Sequence, residues 1–244
     1  MVALGRNGRD NKALRDISLT CHVNPHAEGS CLIKCGRTEV LCTATLQDGV
    51  PRWLKGQGRG WITAEYGMLP RATHDRKDRE AVKGKQEGRT IEIQRLIGRS
   101  LRASCDLALL NNYTLWIDCD VLVADGGTRT AAITGGFVAL ALAVGEGMAQ
   151  GKIKANPLKQ YIAAASCGIT PSGVVLDMDY AEDSMCDIDG NFVMTGAGEW
   201  LELQLTGEKR AIKPAEFAEM MLLAEKGIRE LFELQRKAIE SAST

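Results

Sequence analysis

Histidine is scarce in this chain, with three in 244 residues (His22, His26 and His74), and no two of its eight cysteines stand as Cys-x-x-Cys. A zinc ribbon or finger needs such pairs, so that class is set aside. A disulfide scaffold is not indicated either. Cys31, Cys35, Cys42, Cys119 and Cys167 lie in apolar, strand-like segments, where cysteine behaves as a small hydrophobe. Buried reduced thiols are expected, and with them a cytoplasmic protein. The first ten residues contain no signal-peptide core. The longest uncharged run, Thr130 to Gly145, falls short of the roughly 20 apolar residues of a bilayer span, so no membrane is expected. Net charge is also nearly absent at −1, but it is unevenly spread. Between Val50 and Thr90 there are ten Lys/Arg against five Asp/Glu, which leaves the remaining residues at −6. One basic face on an acidic body suits a polyanionic partner.

What is present reads as alternating strands and helices with no low-complexity break. Ser30 to Leu46 forms a hairpin about Gly36-Arg37, and a long Gly- and Arg-rich stretch follows to about Gly88. A stretch of that length is functional or disordered rather than an idle connection. Thr90 to Leu109 has helical period, with Arg95, Arg99 and Arg102 on one face, read as a solvated face or a subunit contact. Thr114 to Val123 alternates as a strand, with Leu115, Ile117, Cys119, Val121 and Val123 on one side. Hairpins are expected about Pro171-Ser-Gly173 and Gly196-Ala-Gly198, and Pro214 opens a final amphipathic helix to about Ile239. The expected fold is a single α/β (α+β) domain over residues 1–244, with mixed sheets packed against helices.

Two segments carry chemistry. Asp125-Gly-Gly-Thr-Arg-Thr130 joins a strand to the small, apolar run Ala131 to Val144. Glycines at such a junction permit a tight turn, and the helix start offers unpaired N–H groups. Thr128 adds a hydroxyl and Arg129 a fork for tetrahedral oxygens. The loop fits neither nucleotide-binding glycine motif, and a Gly-Gly turn before a helix can be no more than a turn. Further on, Asp177 to Asp189 holds six carboxylates in thirteen residues. Like charges so close repel unless a cation compensates, and Mg²⁺ takes one or two carboxylates plus phosphate oxygens. The glycine of Asp187-Ile-Asp-Gly-Asn191 falls at the wrong step for an EF-hand, and a solvated acidic turn is the plainer alternative.

In order and spacing, these segments resemble the ribonuclease PH family over nearly the whole chain. The resemblance rests on His26-Ala-Glu-Gly-Ser30, Gly49-Val-Pro-Arg-Trp53, Gly60-Trp-Ile-Thr-Ala-Glu-Tyr-Gly-Met-Leu-Pro-Arg71, Gly88-Arg-Thr90 and Glu92-Ile-Gln-Arg-Leu-Ile-Gly-Arg-Ser100. It continues through Asp118-Cys-Asp120, Ala124 to Thr130, Asn156-Pro-Leu-Lys159, Asp179-Tyr-Ala-Glu-Asp-Ser184 and Val193-Met-Thr-Gly196. Glu87, where the family often has glycine, and Leu205-Thr-Gly-Glu-Lys-Arg210 depart from the pattern, and the first twenty residues match loosely.

The resemblance implies the ribosomal-protein-S5-domain-2-like fold and a homo-hexamer built as a trimer of dimers. It implies a phosphorolytic 3′–5′ exoribonuclease, a transfer-RNA nucleotidyltransferase, acting on tRNA precursors and other structured RNA such as rRNA, and not on DNA. Inorganic phosphate would be the co-substrate and Mg²⁺ the cofactor. Arg89, Gly127, Thr128 and Arg129 would bind phosphate; Asp183 and Asp189 would be catalytic and hold the metal. Arg71, Arg76, Lys77 and Arg79 would grip RNA. The alternatives are a catalytically silent RNA-binding subunit of an exosome-like ring, which would lack one of the two charged sets, and a hydrolytic nuclease using the same acids and metal, which would leave the phosphate residues without a role.

Overall fold

The structure is a computed structural model that describes Arg6 and residues 8–242. Alternation builds its first sheet. In β3 (Thr38–Asp48), Thr38, Val40, Cys42, Ala44 and Leu46 are buried and their neighbours are not. β1 (Ile17–Cys21), β2 (Gly29–Cys35), β3, β5 (Tyr113–Val123) and β4 (Trp61–Met68) lie in that spatial order. All pairings are antiparallel except β4 with β5, which is parallel. The parallel pair needs a crossover, supplied by the short α1 (Glu80–Lys83) and by α2 (Gly88–Ala103). A second, antiparallel sheet has the order β7 (Gly173–Leu176), β6 (Ile162–Thr170), β8 (Ile188–Thr195), β9 (Trp200–Gly207).

α3 (Thr128–Ala149) packs against both sheets. By length and composition it is the one described helix that could cross a membrane, but 83% of its apolar window is buried inside the fold. A helix apolar on every side belongs in a core. Its glycines allow close approach: a Cβ on Gly135 would meet Ile33 Cγ2 at 2.7 Å and Cys42 Sγ at 3.0 Å. α5 (Pro214–Ala242) covers the second sheet, and buried Gln235 donates from Nε2 to the carbonyls of Thr134 and Ile162, 2.9 Å each.

Several expectations are corrected here. The stretch after Leu46 is not one long loop, because Ile62, Ala64 and Tyr66 alternate inward and make β4. β1 lay in the stretch without a motif. α2 stops at Ala103, where Ser104 and Cys105 close the last turn onto Leu101 and Arg102, rather than reaching Leu109. α3 begins at Thr128, three residues before the apolar run. Val123 is exposed at its strand end. The arginine face of α2 is partly engaged: Arg99 bonds Glu202 at 2.7 Å, and Arg102 lies 4.4 Å over the Trp61 ring while donating to the Ile62 carbonyl. All eight cysteines are free thiols, and seven are buried.

Replacing Gly135 by leucine is expected to lower stability by several kcal/mol, since overpacking a tight helix–sheet contact forces backbone shifts. Denaturant unfolding checks this; an unchanged midpoint would mean that α3 does not press on β2 and β3 as described.

Candidate active site

Arg15 organises this region. Its backbone N–H and Nε donate to Asp177 Oδ2 at 2.8 and 3.0 Å, and its Nη2 donates to Oδ1 at 2.7 Å. The guanidinium also donates to the carbonyls of Asp125 (2.7 Å) and Gly126 (3.4 Å), while Thr38 Oγ1 donates to the Gly126 carbonyl at 2.7 Å. The Asp125 N–H donates to Thr38 Oγ1 at 2.9 Å, so of this turn only the Gly126 and Gly127 N–H groups are left without a partner among the described residues. Gly126 and Gly127 have φ of 78° and 67°, the left-handed region that glycine occupies without strain. A Cβ on Gly126 would stand 2.6 Å from the Met178 carbonyl oxygen, so this glycine lets the loop close on the acidic segment. Burial alone would raise the Asp177 pKa, but the Arg15 charge and hydrogen bonds outweigh it and hold the carboxyl below its usual range.

The six acids are sorted by the arginines around them. Asp177 belongs to Arg15, Glu182 to Arg6 (2.7 Å) and Arg9 (3.1 Å), and Asp187 to Arg210 (3.2 Å). Asp179 accepts from the Glu182 N–H in a capping box that opens α4 (Tyr180–Asp183). Asp183, at the end of α4, and Asp189, in β8, have neither an ion pair nor a cap among the described residues; Asp189 is held only by Asn191 Nδ2 at 3.4 Å.

Those two carboxylates line one cavity of about 60 Å³ with Arg89, Gly127, Thr128, Arg129, Ser166, Met178 and Asn191. Every residue predicted from the sequence for phosphate and metal is therefore brought together. Thr128 opens α3 and lines the cavity, and the first N–H groups of a helix, lacking intrahelical partners, suit an anion. Tyr66 positions the Thr128 hydroxyl at 2.8 Å. Arg129 uses Nη1 on Gln204 (2.6 Å) and Glu92 (3.3 Å), leaving Nε and Nη2 without a partner among the described residues. Arg89 opens α2, where Glu80 Oε1 accepts from the Thr90 hydroxyl (2.6 Å) and the Glu87 N–H (3.1 Å), fixing that turn. Burial, then repulsion from Asp183, pushes the Asp189 carboxyl up to about 6, with Arg129 and Arg89 opposing. Asp183 is raised by desolvation, against the pull of the same two arginines.

The basic residues divide. Lys77 and Arg79 line a neighbouring groove of about 210 Å³ that shares Arg89. Arg71 and Arg76 are exposed outside it, and Arg76 pairs with Asp78 at 2.8 Å. Sequence reasoning missed Tyr66, Gln204, Glu92 and Asn191, and missed Arg6, Arg9 and Arg15. Tyr66, Glu92 and, at the edge of a hairpin, Asn191 stood inside quoted segments. The three arginines had no motif around them.

Residues 13–145 match the description "3′ exoribonuclease family, domain 1", and residues 160–227 match "domain 2" of the same family. The chain belongs to the ribonuclease PH family. It is 58% identical over 226 residues to "Ribonuclease PH" of Caulobacter vibrioides, a match covering 93% of this chain and 95% of that protein. As a member, it is a phosphorolytic 3′–5′ exoribonuclease with inorganic phosphate as a substrate. Two solved structures share the fold: rice (Oryza sativa) Rrp46, with TM-score 0.78, 20% identity and 96% of this chain and 100% of that one covered, and the Archaeoglobus fulgidus exosome with RNA bound to the active site, with TM-score 0.79, 21% identity and 93% and 91% covered.

The raised Asp189 pKa has a consequence for stability. A carboxyl raised on folding stabilises the fold while protonated, and that contribution is lost as pH rises through about 6. Asp189→Asn removes the repulsion, so in metal-free buffer at pH 7.5 it is expected to raise stability, by at most about 3 kcal/mol, while abolishing activity. The gain shrinks between pH 6 and pH 4. Thermal melts across that range check it, and a destabilised variant at pH 7.5 would contradict the charge assignment.

Proposed function

We propose that the cavity between the starts of α2 and α3 is the phosphorolytic centre. Arg89, Gly127, Thr128 and Arg129 hold inorganic phosphate, and Asp183 and Asp189 act on the RNA side. The observation that supports this most is that the two acids left without arginine partners share one cavity with two arginines that keep free donors.

The attacking group is phosphate, already anionic at neutral pH, so no histidine base is needed. Arg89, the free edge of Arg129, the Thr128 hydroxyl and the α3 amides hold it in line with the terminal phosphodiester of an RNA 3′ end. Phosphate oxygen bonds to phosphorus as the bond to the penultimate 3′-oxygen breaks. The products are a nucleoside 5′-diphosphate and RNA shorter by one residue, and the new phosphoanhydride makes the step reversible. Asp183 and Asp189 fit a divalent cation: they repel each other across one cavity, and Mg²⁺ takes one or two carboxylates with substrate oxygens. When bound there, Mg²⁺ supplies charge neutralisation at the scissile phosphate and the leaving oxygen. Lys77 and Arg79 lead the 3′ end toward Arg89, with Arg71 and Arg76 further out.

We read residues 1–244 as one functional unit, since helices that pack on the first sheet and strands of the second line one cavity, and as a subunit of a cytoplasmic homo-hexameric ring acting on tRNA precursors and rRNA; family membership supports this. A silent ring subunit would lack one of the two charged sets, and a hydrolytic nuclease would leave Arg89 and Arg129 without a task.

The test incubates the protein with Mg²⁺ and a tRNA precursor labelled at its 3′ end, with and without phosphate. Nucleoside diphosphate released only with phosphate is the expected result, and monophosphate without it would refute the reading. Arg129→Ala is expected to abolish turnover at limiting phosphate with RNA retention intact. Neutralising Arg79 should flatten the salt dependence of RNA binding by about 0.7 in log–log slope, and Arg76, already paired, by less. Equal slopes would move the RNA path away from the groove.

A further inference from the structure

Four cysteines stand opposite one another on four neighbouring strands: Cys21 faces Cys31, Cys31 faces Cys42, and Cys42 faces Cys119. The outermost pair differs from the rest. Cys21 lies on an edge strand and is only partly buried, whereas Cys31 is fully buried behind it on the same inward face. The His22 N–H donates to the Ser30 carbonyl at 3.0 Å, so His22 and Ser30 form a hydrogen-bonded pair and Cys21 and Cys31 the adjacent non-hydrogen-bonded one. Such pairs bring Cα atoms to about 4.5 Å, within the range a disulfide spans but near its lower limit, where the bond is strained and easily reduced. The two thiols face each other across the pair of strands; facing Cys31, with His22 beside it, eases ionisation of Cys21, while facing Cys21, and then burial, resists that of Cys31. Access comes from a groove of about 550 Å³ between β1 and α5, lined by Leu19, Cys21, His22, Leu234, Lys237 and Ala238.

We infer that Cys21 and Cys31 are a site of reversible disulfide formation, with Cys21 the attacking thiol at the groove and Cys31 the resolving one. The oxidant is hydrogen peroxide. The Cys21 thiolate attacks one peroxide oxygen and the O–O bond breaks, giving a sulfenic acid and hydroxide. The Cys31 thiol then displaces the sulfenic oxygen as water, closing the S–S bond. Two thiols are oxidised, and the peroxide is reduced to two waters once the hydroxide takes up a proton. The bond would staple edge strand β1 to β2 and withdraw the Cys21 thiol from the Ala238 carbonyl that it contacts at 3.6 Å on α5. Cys42 and Cys119 sit deeper, both against the Ala132 carbonyl, and have no such opening to solvent.

The experiment treats the full-length protein with hydrogen peroxide near neutral pH, alkylates free thiols under denaturing conditions, and maps peptides by mass spectrometry. A Cys21–Cys31 linked peptide that disappears with dithiothreitol is expected, together with a higher melting temperature for the oxidised protein. In Cys31→Ser the Cys21 sulfenic acid should accumulate and be trapped by dimedone. Cys21→Ser, altering the more exposed member, should leave Cys31 fully alkylatable after peroxide. The inference is overturned if both thiols stay alkylatable in the wild-type protein while others oxidise, or if Cys21 links to a different cysteine or to a second copy of the chain.

Discussion

The buried pair of Arg15 and Asp177 is the interaction on which the site depends. Both side chains are 7% exposed, and burial works against the charge on each; it is their mutual attraction, closed by three hydrogen bonds, that keeps both ionised. One arginine then does two things. It holds Asp177, which has a left-handed φ of 52°, and so fixes the entry to the acidic segment. It also binds the carbonyls of the Asp125–Gly126 turn, and so fixes the entry to α3. The proposed phosphate cradle, on the starts of α2 and α3, and the pair of aspartates, on α4 and β8, come from different elements, and Arg15 ties the turn before α3 to the acidic segment. A buried ion pair is weak evidence for stability, and its value here lies in registry.

Charge sorting does the rest. Six carboxylates in thirteen residues would repel one another without Arg6, Arg9, Arg15 and Arg210. Those arginines neutralise three acids and a helix cap takes the fourth, so repulsion is concentrated on Asp183 and Asp189. Arg89 and Arg129, the latter keeping part of its guanidinium free, line the same cavity and offset that repulsion only in part. The arrangement is anion-hungry on one wall and cation-hungry on the other, as a centre joining phosphate to an RNA phosphodiester must be.

Much of this was legible in the sequence because the informative residues are local. Asp125 to Thr130 carries its own turn, cap and donors, and alternation marked β3, β5 and the two hairpins of the second sheet. β4 was legible in principle, since Ile62, Ala64 and Tyr66 alternate, but the surrounding glycines and arginines masked it. The roles of Arg6, Arg9 and Arg15 were not legible. Nothing in their neighbourhood marks an ion pair to a residue more than 160 positions away, and such pairing is a property of the tertiary fold. Likewise, the acidic cluster could be counted from the sequence, but which of its members remain free depends on arginines from other elements. The cysteine row was hidden for the same reason: only strand register aligns four thiols.

The most direct measurement of the central claim is phosphate-dependent turnover in Arg15→Met/Asp177→Asn, a double substitution that removes both charges and leaves at 177 a side chain tolerant of left-handed φ. The account predicts a folded protein with near-wild-type melting but a KM for phosphate raised on the order of tenfold or more, because the loop loses the donors that orient it. A folded variant with unchanged phosphate KM and unchanged turnover would contradict it, and would mean that the cradle assembles without Arg15.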